Sequence, residues 1–148
     1  MRWLLDTNVV SESVQPRPNR VVAAWIARQP DDLMAISMVT LAELREGAAS
    51  NPNERRRGEL LQWLDVTVTA WFAERTLPVT LEILMDWLDA GRRLARQGMT
   101  RNPADLLIAA TARVHGLIIV SRNVRDFAGT GIVVYDPWTS ETHRMEQA

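Results

Sequence analysis

Short apolar runs alternate along the chain with longer segments whose apolar residues recur every three or four positions. The runs predict buried strands, and the periodic segments predict helices with one buried face. The predicted strands cover residues 1–5, 33–36, 76–79, 117–120 and 132–135. The predicted helices cover residues 20–28, 37 or 40 to 47, 54–65, 80–97 and 104–114.

Residues that favour helix ends stand at several of these boundaries. Asn19 and Asn102 are suited to cap a helix, Pro103 fits a first helical turn, and Gly47 and Gly98 fit helix ends. Strands that alternate with helices imply right-handed crossovers and a mainly parallel sheet. We therefore predict a three-layer α/β/α domain that spans residues 1–148, without repeats or an interdomain linker.

Composition excludes several kinds of site. The 148 residues include no cysteine, so disulfides, thiolate zinc sites and cysteine nucleophiles are ruled out. His115 and His143 lie too far apart in sequence to form a ligand-spaced pair. Any metal should therefore be held by oxygen. No apolar run approaches the roughly 20 residues of a membrane span, and Asp6 comes too early for a secretory signal, which predicts a cytoplasmic protein.

Four acids are expected at the carboxyl ends of the predicted strands, where parallel sheets form their ligand sites. They are Asp6, Glu43, Asp105 and Asp126. Taken singly, each has a structural explanation: Asp6 suits a turn, Glu43 an exposed helix face, Asp105 a helix start and Asp126 a cap. Together they would repel each other, and Mg²⁺ or Mn²⁺ would relieve that repulsion and supply water for attack on a phosphodiester.

Four segments, in this order, resemble the VapC-like toxins of the PIN-domain superfamily along the whole chain. Leu4–Glu12 resembles the family's opening strand and Asp-Thr-Asn turn, and Thr40–Gly47 resembles its glutamate-bearing helix. Pro103–Ala112 resembles the helix that carries the third acid. Val120–Phe127, followed by Gly131–Trp138, resembles the C-terminal block.

The resemblance implies a magnesium-dependent endoribonuclease, with Mn²⁺ able to replace Mg²⁺. Asp6, Glu43 and Asp105 would be the core metal-binding and catalytic acids, and Asp126 the fourth. Some relatives have an acid where this chain has Asn123, which puts the number of metal ions in doubt. The resemblance also assigns polar contacts with the acids or the phosphate to Thr7, Asn8, Ser121 and Asn123.

The resemblance further implies a type II toxin–antitoxin pair, in which a homodimeric toxin is held inactive by a small antitoxin protein. The formal net charge is −1, so RNA binding would depend on local arginines, since the chain has no lysine. The candidates are Arg92, Arg93, Arg96, Arg101, Arg122 and Arg125. Five tryptophans are candidates for buried or interface positions, and core packing is expected for most of them. They are Trp25, Trp63, Trp71, Trp87 and Trp138.

Other functions fit the sequence less well. A signalling receiver would need a late lysine and paired acids after the first strand, and a phosphatase of the haloacid type would need an Asp-x-Asp pair there. Asp6 is followed by Thr7 and Asn8 instead. A PIN-like module that binds RNA or a partner without cutting remains an alternative, as does a nuclease that prefers single-stranded DNA.

Overall fold

The computed structural model describes residues 1–148 and has a six-stranded sheet at its centre. The strands are β1 (Trp3–Leu5), β2 (Met34–Ser37), β3 (Thr76–Leu77), β4 (Ile118–Val120), β5 (Val133–Asp136) and β6 (Glu141–Arg144). Their order across the sheet is β3-β2-β1-β4-β5-β6, in which β1 to β5 are parallel and β6 is antiparallel to β5. The prediction of an α/β fold with a mainly parallel sheet is confirmed.

Seven α-helices flank this sheet. They are α1 (Thr7–Glu12), α2 (Arg20–Arg28), α3 (Met38–Ala49), α4 (Glu54–Gln62), α5 (Thr69–Trp71), α6 (Leu81–Arg96) and α7 (Pro103–His115). A π-helical stretch, Trp63–Val68, joins α4 to α5, and single 3₁₀ turns cover Asp31–Leu33 and Val124–Phe127. None of the helices combines the length and the apolar character that a membrane crossing requires.

Alternate residues of the strands build a separate core on each face of the sheet, as the two-residue period of a strand requires. Leu5, Ile36 and Val120 belong to one cluster, which the residues of α1 to α5 complete. Leu4, Ala35 and Ile119 belong to the other, and α7 covers it. On the first face, the helical segments contribute Val9, Trp25, Leu44 and Leu64 to the core. On the second face, α7 contributes Ile108, Ala109 and Ala112.

Side-chain caps define the starts of the helices near the sheet edge. The Asn19 side chain accepts hydrogen bonds from two backbone N–H groups of α2, and the Asn102 side chain does the same for α7. Ser37, rather than Thr40, caps α3. Gly116 ends α7 in the left-handed conformation, with φ of 65°, which glycine adopts without steric cost.

Several elements differ from the sequence prediction. Helix α3 continues through Gly47, where it was expected to end, as far as Ala49. The segment Thr7–Glu12, which was expected to begin as a turn, is helix α1; its six residues are too few to display helical periodicity. The helix predicted over 54–65 ends at Gln62 and continues as π-helix. Strand β6 was not predicted, because it is an edge strand of polar residues (Glu141–Arg144) that its hydrogen bonds to β5 hold in place.

The tryptophans lie mostly at the margins of the core rather than inside it. Trp25 is buried, whereas Trp63, Trp71 and Trp138 are partly buried and pack against the first cluster. The indole N–H of Trp87 donates to the Pro103 carbonyl oxygen at 3.1 Å. The expectation of core packing for most tryptophans is therefore confirmed, since Trp25 belongs to the first cluster and Trp63, Trp71 and Trp138 pack against it. Trp87 packs against neither cluster.

Candidate active site

Asp6 lies at the carboxyl end of the central strand β1 and caps α1. Its side chain accepts a hydrogen bond from the Thr7 backbone N–H at 2.8 Å. Its own backbone N–H donates to the Val120 carbonyl oxygen at 2.9 Å, which prolongs the pairing of β1 with β4. The side chain is thus held at the sheet edge, and only 5% of the residue is exposed.

Two polar side chains orient the Asp6 carboxylate. The hydroxyl of Ser121, a buried residue directly after β4, donates to Asp6 Oδ2 at 2.7 Å. Asn8 Nδ2 reaches the same oxygen at 3.2 Å and Ser121 Oγ at 3.1 Å. The backbone N–H groups of Arg122 and Asn123 donate to Asn8 Oδ1 and Ser121 Oγ, both at 3.0 Å. These bonds tie the start of α1 to the loop after β4.

Glu43 reaches the same edge from α3, which begins directly after β2. The Thr7 hydroxyl donates to Glu43 Oε1 at 3.1 Å. Thr7 therefore contacts two acids at once, Asp6 through its backbone N–H and Glu43 through its side chain. This contact sets the position of a glutamate that is only partly buried.

Asp105 and Asp126 complete the acidic group without hydrogen-bonding partners for their carboxylates. Asp105 is partly buried in the first turn of α7, where the Asn102 cap and Pro103 begin the helix. Asp126 is exposed in the 3₁₀ turn that follows β4. Both carboxylates can therefore accept a ligand without losing a contact within the protein.

The four acids influence each other electrostatically. Burial raises the pKa of Asp6, and the hydrogen bonds from Ser121 and Thr7 only partly offset this rise. Burial likewise raises the pKa of Glu43, despite its bond from Thr7. The pKa of Asp105 rises to about 6, first through burial and then through repulsion from Asp6, Asp126 and Glu43. Arginine side chains make all but one of the ion pairs in the structure, and none of the pairs involves these four acids.

The donor set fits a hard divalent cation. The carboxylates supply only oxygen, which Mg²⁺ prefers. Burial, and after it repulsion between the acids, raises the pKa of three of them, and no cationic side chain of the protein is paired with them to offset this rise. No group of three or more acidic, histidine or cysteine side chains stands arranged to hold an ion. Mg²⁺ commonly binds one or two carboxylates and keeps several waters, so the fit does not require a group of three.

The candidate RNA-binding arginines fall into two groups. Arg92 and Arg93 form ion pairs with Asp89, and Arg101 donates to the carbonyl oxygens of Ala128 and Thr100. Arg96, Arg122 and Arg125 are exposed and form no ion pair. Arg122 lies over the ring of Trp138, and with Arg125 it lines a cavity of about 560 Å³ beside Asp126. Arg122 and Arg125 are thus the candidates whose charge is available beside Asp126.

One basic residue near the site was not among the sequence candidates. Arg56 lines a groove together with Thr7 and Glu43. In the sequence it stands in the run Arg55–Arg57, a pattern that favours a solvated helix face. Three consecutive arginines on a helix carry no signal that separates an inward position from an outward one.

Comparison with known proteins identifies the family to which this chain belongs. Residues 3–132 match the family model described as PIN domain. The chain is 36% identical to VapC ribonuclease Y4jK of Sinorhizobium fredii over 91% of this chain and 96% of that protein. It is 33% identical to Toxin FitB of Neisseria gonorrhoeae over 91% of this chain and 97% of that protein.

A solved structure has the same fold over nearly the same length. The crystal structure of FitAcB from Neisseria gonorrhoeae superposes with a TM-score of 0.86 at 33% identity. The match covers 92% of this chain and 98% of the chain in that structure. The residues matched by the PIN-domain model, 3–132, include all four acids.

Proposed function

Because this chain belongs to the PIN-domain family, and within it to the VapC-like proteins, we propose that it is a magnesium-dependent endoribonuclease that acts as a toxin of a type II toxin–antitoxin pair. The family resemblance expected from the sequence is thereby confirmed. The observation that carries the proposal is the group of four acids at the sheet edge, none of which has a cationic partner in the chain. The ribonuclease reaction is supported by the similarity to a relative named as a ribonuclease, VapC ribonuclease Y4jK.

Asp6, Glu43 and Asp105 would hold Mg²⁺, or Mn²⁺ in its place, one or two of them directly and the others through water, and Asp126 would be the fourth acid. When bound, the ion would offset the carboxylate charge and activate water toward the phosphodiester. Ser121 and Asn8 keep Asp6 Oδ2 in one orientation, and Thr7 fixes Glu43 relative to Asp6. Two of the acids are therefore positioned before any ligand arrives, which lowers the entropy lost on binding.

RNA would be guided to this acidic site by arginines around it. Arg122 and Arg125 are the best placed of the six candidates, since they line a cavity with Asp126 and form no ion pair. Arg96 also forms no ion pair, and its part in RNA binding stays a prediction. Asn123 stands exposed beside them and can contact a phosphate or water. The ion pairs of Arg92 and Arg93 and the backbone contacts of Arg101 make these three weaker candidates.

The proposal includes two protein partners, a cognate antitoxin and a second copy of this chain. It also places the action of the protein in the cytoplasm. A cognate antitoxin is supported by the similarity to Toxin FitB, since a toxin needs a neutralising partner. A homodimer is supported by an exposed apolar stripe on α6, whose residues recur at helical spacing. The stripe comprises Leu81, Leu84, Met85 and Leu88, which are 74%, 37%, 53% and 46% exposed. A monomer would leave this stripe in water.

The decisive experiment is cleavage of total cellular RNA by the purified protein. We expect discrete products with Mg²⁺ or Mn²⁺, no products in chelator, and loss of cleavage in Asp6→Asn and Glu43→Gln. Asp32→Asn is the matched control, because Asp32 is exposed before β2, at the opposite end of the strands. Cleavage that survives both site variants would refute the assignment of the acids.

The same assay separates the proposed activity from its alternatives. Addition of excess single-stranded DNA should leave RNA cleavage largely unaffected, whereas cleavage of the DNA in preference to the RNA would reveal a DNA nuclease. Absence of cleavage by the metal-loaded wild-type protein, together with RNA binding, would indicate a module that binds without cutting.

A further inference from the structure

A groove of about 320 Å³ opens beside the acidic site, between α1, α3 and α4. Thr7 and Glu43, which are hydrogen-bonded to each other, belong to both the acidic site and the wall of this groove. A chain lying in the groove would therefore run directly to the acids. The groove is thus continuous with the site where a phosphodiester would be cut.

Arg56 supplies a positive charge to the groove wall. Its side chain is 31% exposed, whereas that of its neighbour Arg55 is 91% exposed. Arg56 Nη2 donates to the Val14 carbonyl oxygen at 2.7 Å, and Nη1 forms an ion pair with Glu59 at 3.4 Å. Arg92 forms a similar pair with Asp89, but Arg56 differs from it in lining a groove that includes Glu43. A guanidinium has five N–H donors, so these contacts orient the group and leave donors free. A fixed guanidinium with free donors is suited to a phosphate.

The remaining lining of the groove suits a nucleotide chain. Ser11, Gln15 and Asn51 offer polar groups, and Trp63 offers an aromatic surface. The Trp63 indole N–H donates to no group in the protein, and the side chain is only partly buried. Single-stranded nucleic acids are bound by this combination of a basic group along the backbone and an aromatic ring for a base.

The backbone around Trp63 departs from a regular helix. Trp63 begins the π-helical stretch that ends at Val68, and the Thr69 hydroxyl donates to the Leu64 carbonyl oxygen at 2.8 Å within it. Such π-helical turns often occur at functional sites, because the wider turn changes the direction of a side chain. The irregular turn coincides here with the aromatic wall of the groove.

We propose that this groove is a subsite for the RNA strand next to the scissile phosphate, and that Arg56 is its backbone-binding residue. The proposal rests on the ribonuclease function argued above and adds a substrate-binding position to it. A peptide of a partner protein is the competing occupant, and the experiment below separates the two.

Binding of a fluorescein-labelled, mixed-sequence single-stranded RNA, measured by anisotropy in chelator at several salt concentrations, tests the subsite without requiring cleavage. Arg56→Gln should flatten the plot of log affinity against log salt by about 0.7, as expected when one phosphate contact to a single strand is lost, and weaken binding roughly fourfold at physiological salt. Arg56→Lys should restore the slope, because it keeps the charge. Arg55→Gln, which removes the same charge outside the groove, should change the slope little.

Cleavage of the same RNA with Mg²⁺ distinguishes failure of the subsite from failure of the ribonuclease assignment. For an active protein, Arg56→Gln should raise KM with little change in kcat, since Arg56 does not contact the reacting atoms. Equal RNA affinities and salt slopes for Arg56→Gln and Arg55→Gln would overturn the subsite even if the wild-type protein cuts RNA. The peptide of a partner protein would then be the better candidate for the groove. The wild-type protein could fail to cut RNA while Arg56→Gln still binds RNA more weakly, and with a flatter salt slope, than Arg55→Gln. That outcome would refute only the ribonuclease function and would retain the subsite.

Discussion

Replacing Asp105 with asparagine should stabilise the metal-free protein at neutral pH. The pKa of Asp105 rises from 3.8 to about 6 in the folded chain, through burial and then repulsion from Asp6, Asp126 and Glu43. The folded chain therefore binds more protons than the unfolded chain between these two pKa values. The free energy of unfolding consequently falls as the pH rises through this window, and the destabilisation is complete above about pH 6.

The size of the effect follows from this pKa rise and from the surroundings of Asp105. A rise of this size corresponds to about 3 kcal/mol as an upper limit. Asp105 is only partly buried and stands in the first turn of α7, where solvent screening and the helix dipole both favour its charge, so we expect a gain of about 1 kcal/mol. For a chain of this length the melting temperature should rise by roughly 2–4 °C.

Urea unfolding in chelator, followed by tryptophan fluorescence, measures this gain. Asp105→Asn should be more stable than the wild-type protein at neutral pH, and most of the difference should disappear near about pH 4, where the folded Asp105 is protonated. Asp32→Asn controls for the removal of one negative charge at a distance from the site. Equal stabilities of the two variants at neutral pH, or a larger gain for Asp105→Asn in acid, would refute the reasoning.

Three further predictions concern the metal, the hydrogen-bond network and the apolar stripe. Mg²⁺ should raise the melting temperature of the wild-type protein more than that of Asp6→Asn, because a ligand that binds the folded state stabilises it; equal rises in thermal unfolding would contradict this. Ser121→Ala removes the hydrogen bond to Asp6, so it should lower the free energy of unfolding by about 1–2 kcal/mol and slow RNA cleavage. Ser50→Ala, at an exposed position, should do neither. Urea unfolding and cleavage rates measure these effects. Met85→Glu should convert the dimer to monomers in light scattering, whereas Val21→Glu, on the exposed face of α2, should leave it a dimer. A dimer that persists in Met85→Glu would exclude the α6 interface.

The fold and the elements that carry the acids could be predicted because their signals are local. Asp6 follows an apolar run directly, and Asn102 with Pro103 marks the helix that carries Asp105. The ends of parallel strands meet at one edge, so local assignments were enough to predict a common location for the acids. Their mutual repulsion in the structure agrees with that location.

Other features depend on contacts that no local pattern encodes. The bond from Ser121 to Asp6 joins residues 115 positions apart. Strand β6 (Glu141–Arg144) exists through its pairing with β5 and has no apolar residues to reveal it. The inward position of Arg56 depends on the Val14 carbonyl oxygen, which comes from a segment 42 positions away. Such features require the tertiary structure.

The unequal support of the four acids explains how a site of like charges can exist before a cation arrives. Asp6, the most buried, receives hydrogen bonds from Thr7, Asn8 and Ser121, which stabilise its ionised form in place of water. Asp105 has no such donors, and its pKa rises to about 6, so protonation can reduce the repulsion when no cation is present. A bound cation would favour the ionised form of both. Metal binding should therefore release protons near pH 6, chiefly from Asp105, which the hydrogen-bond network does not reach.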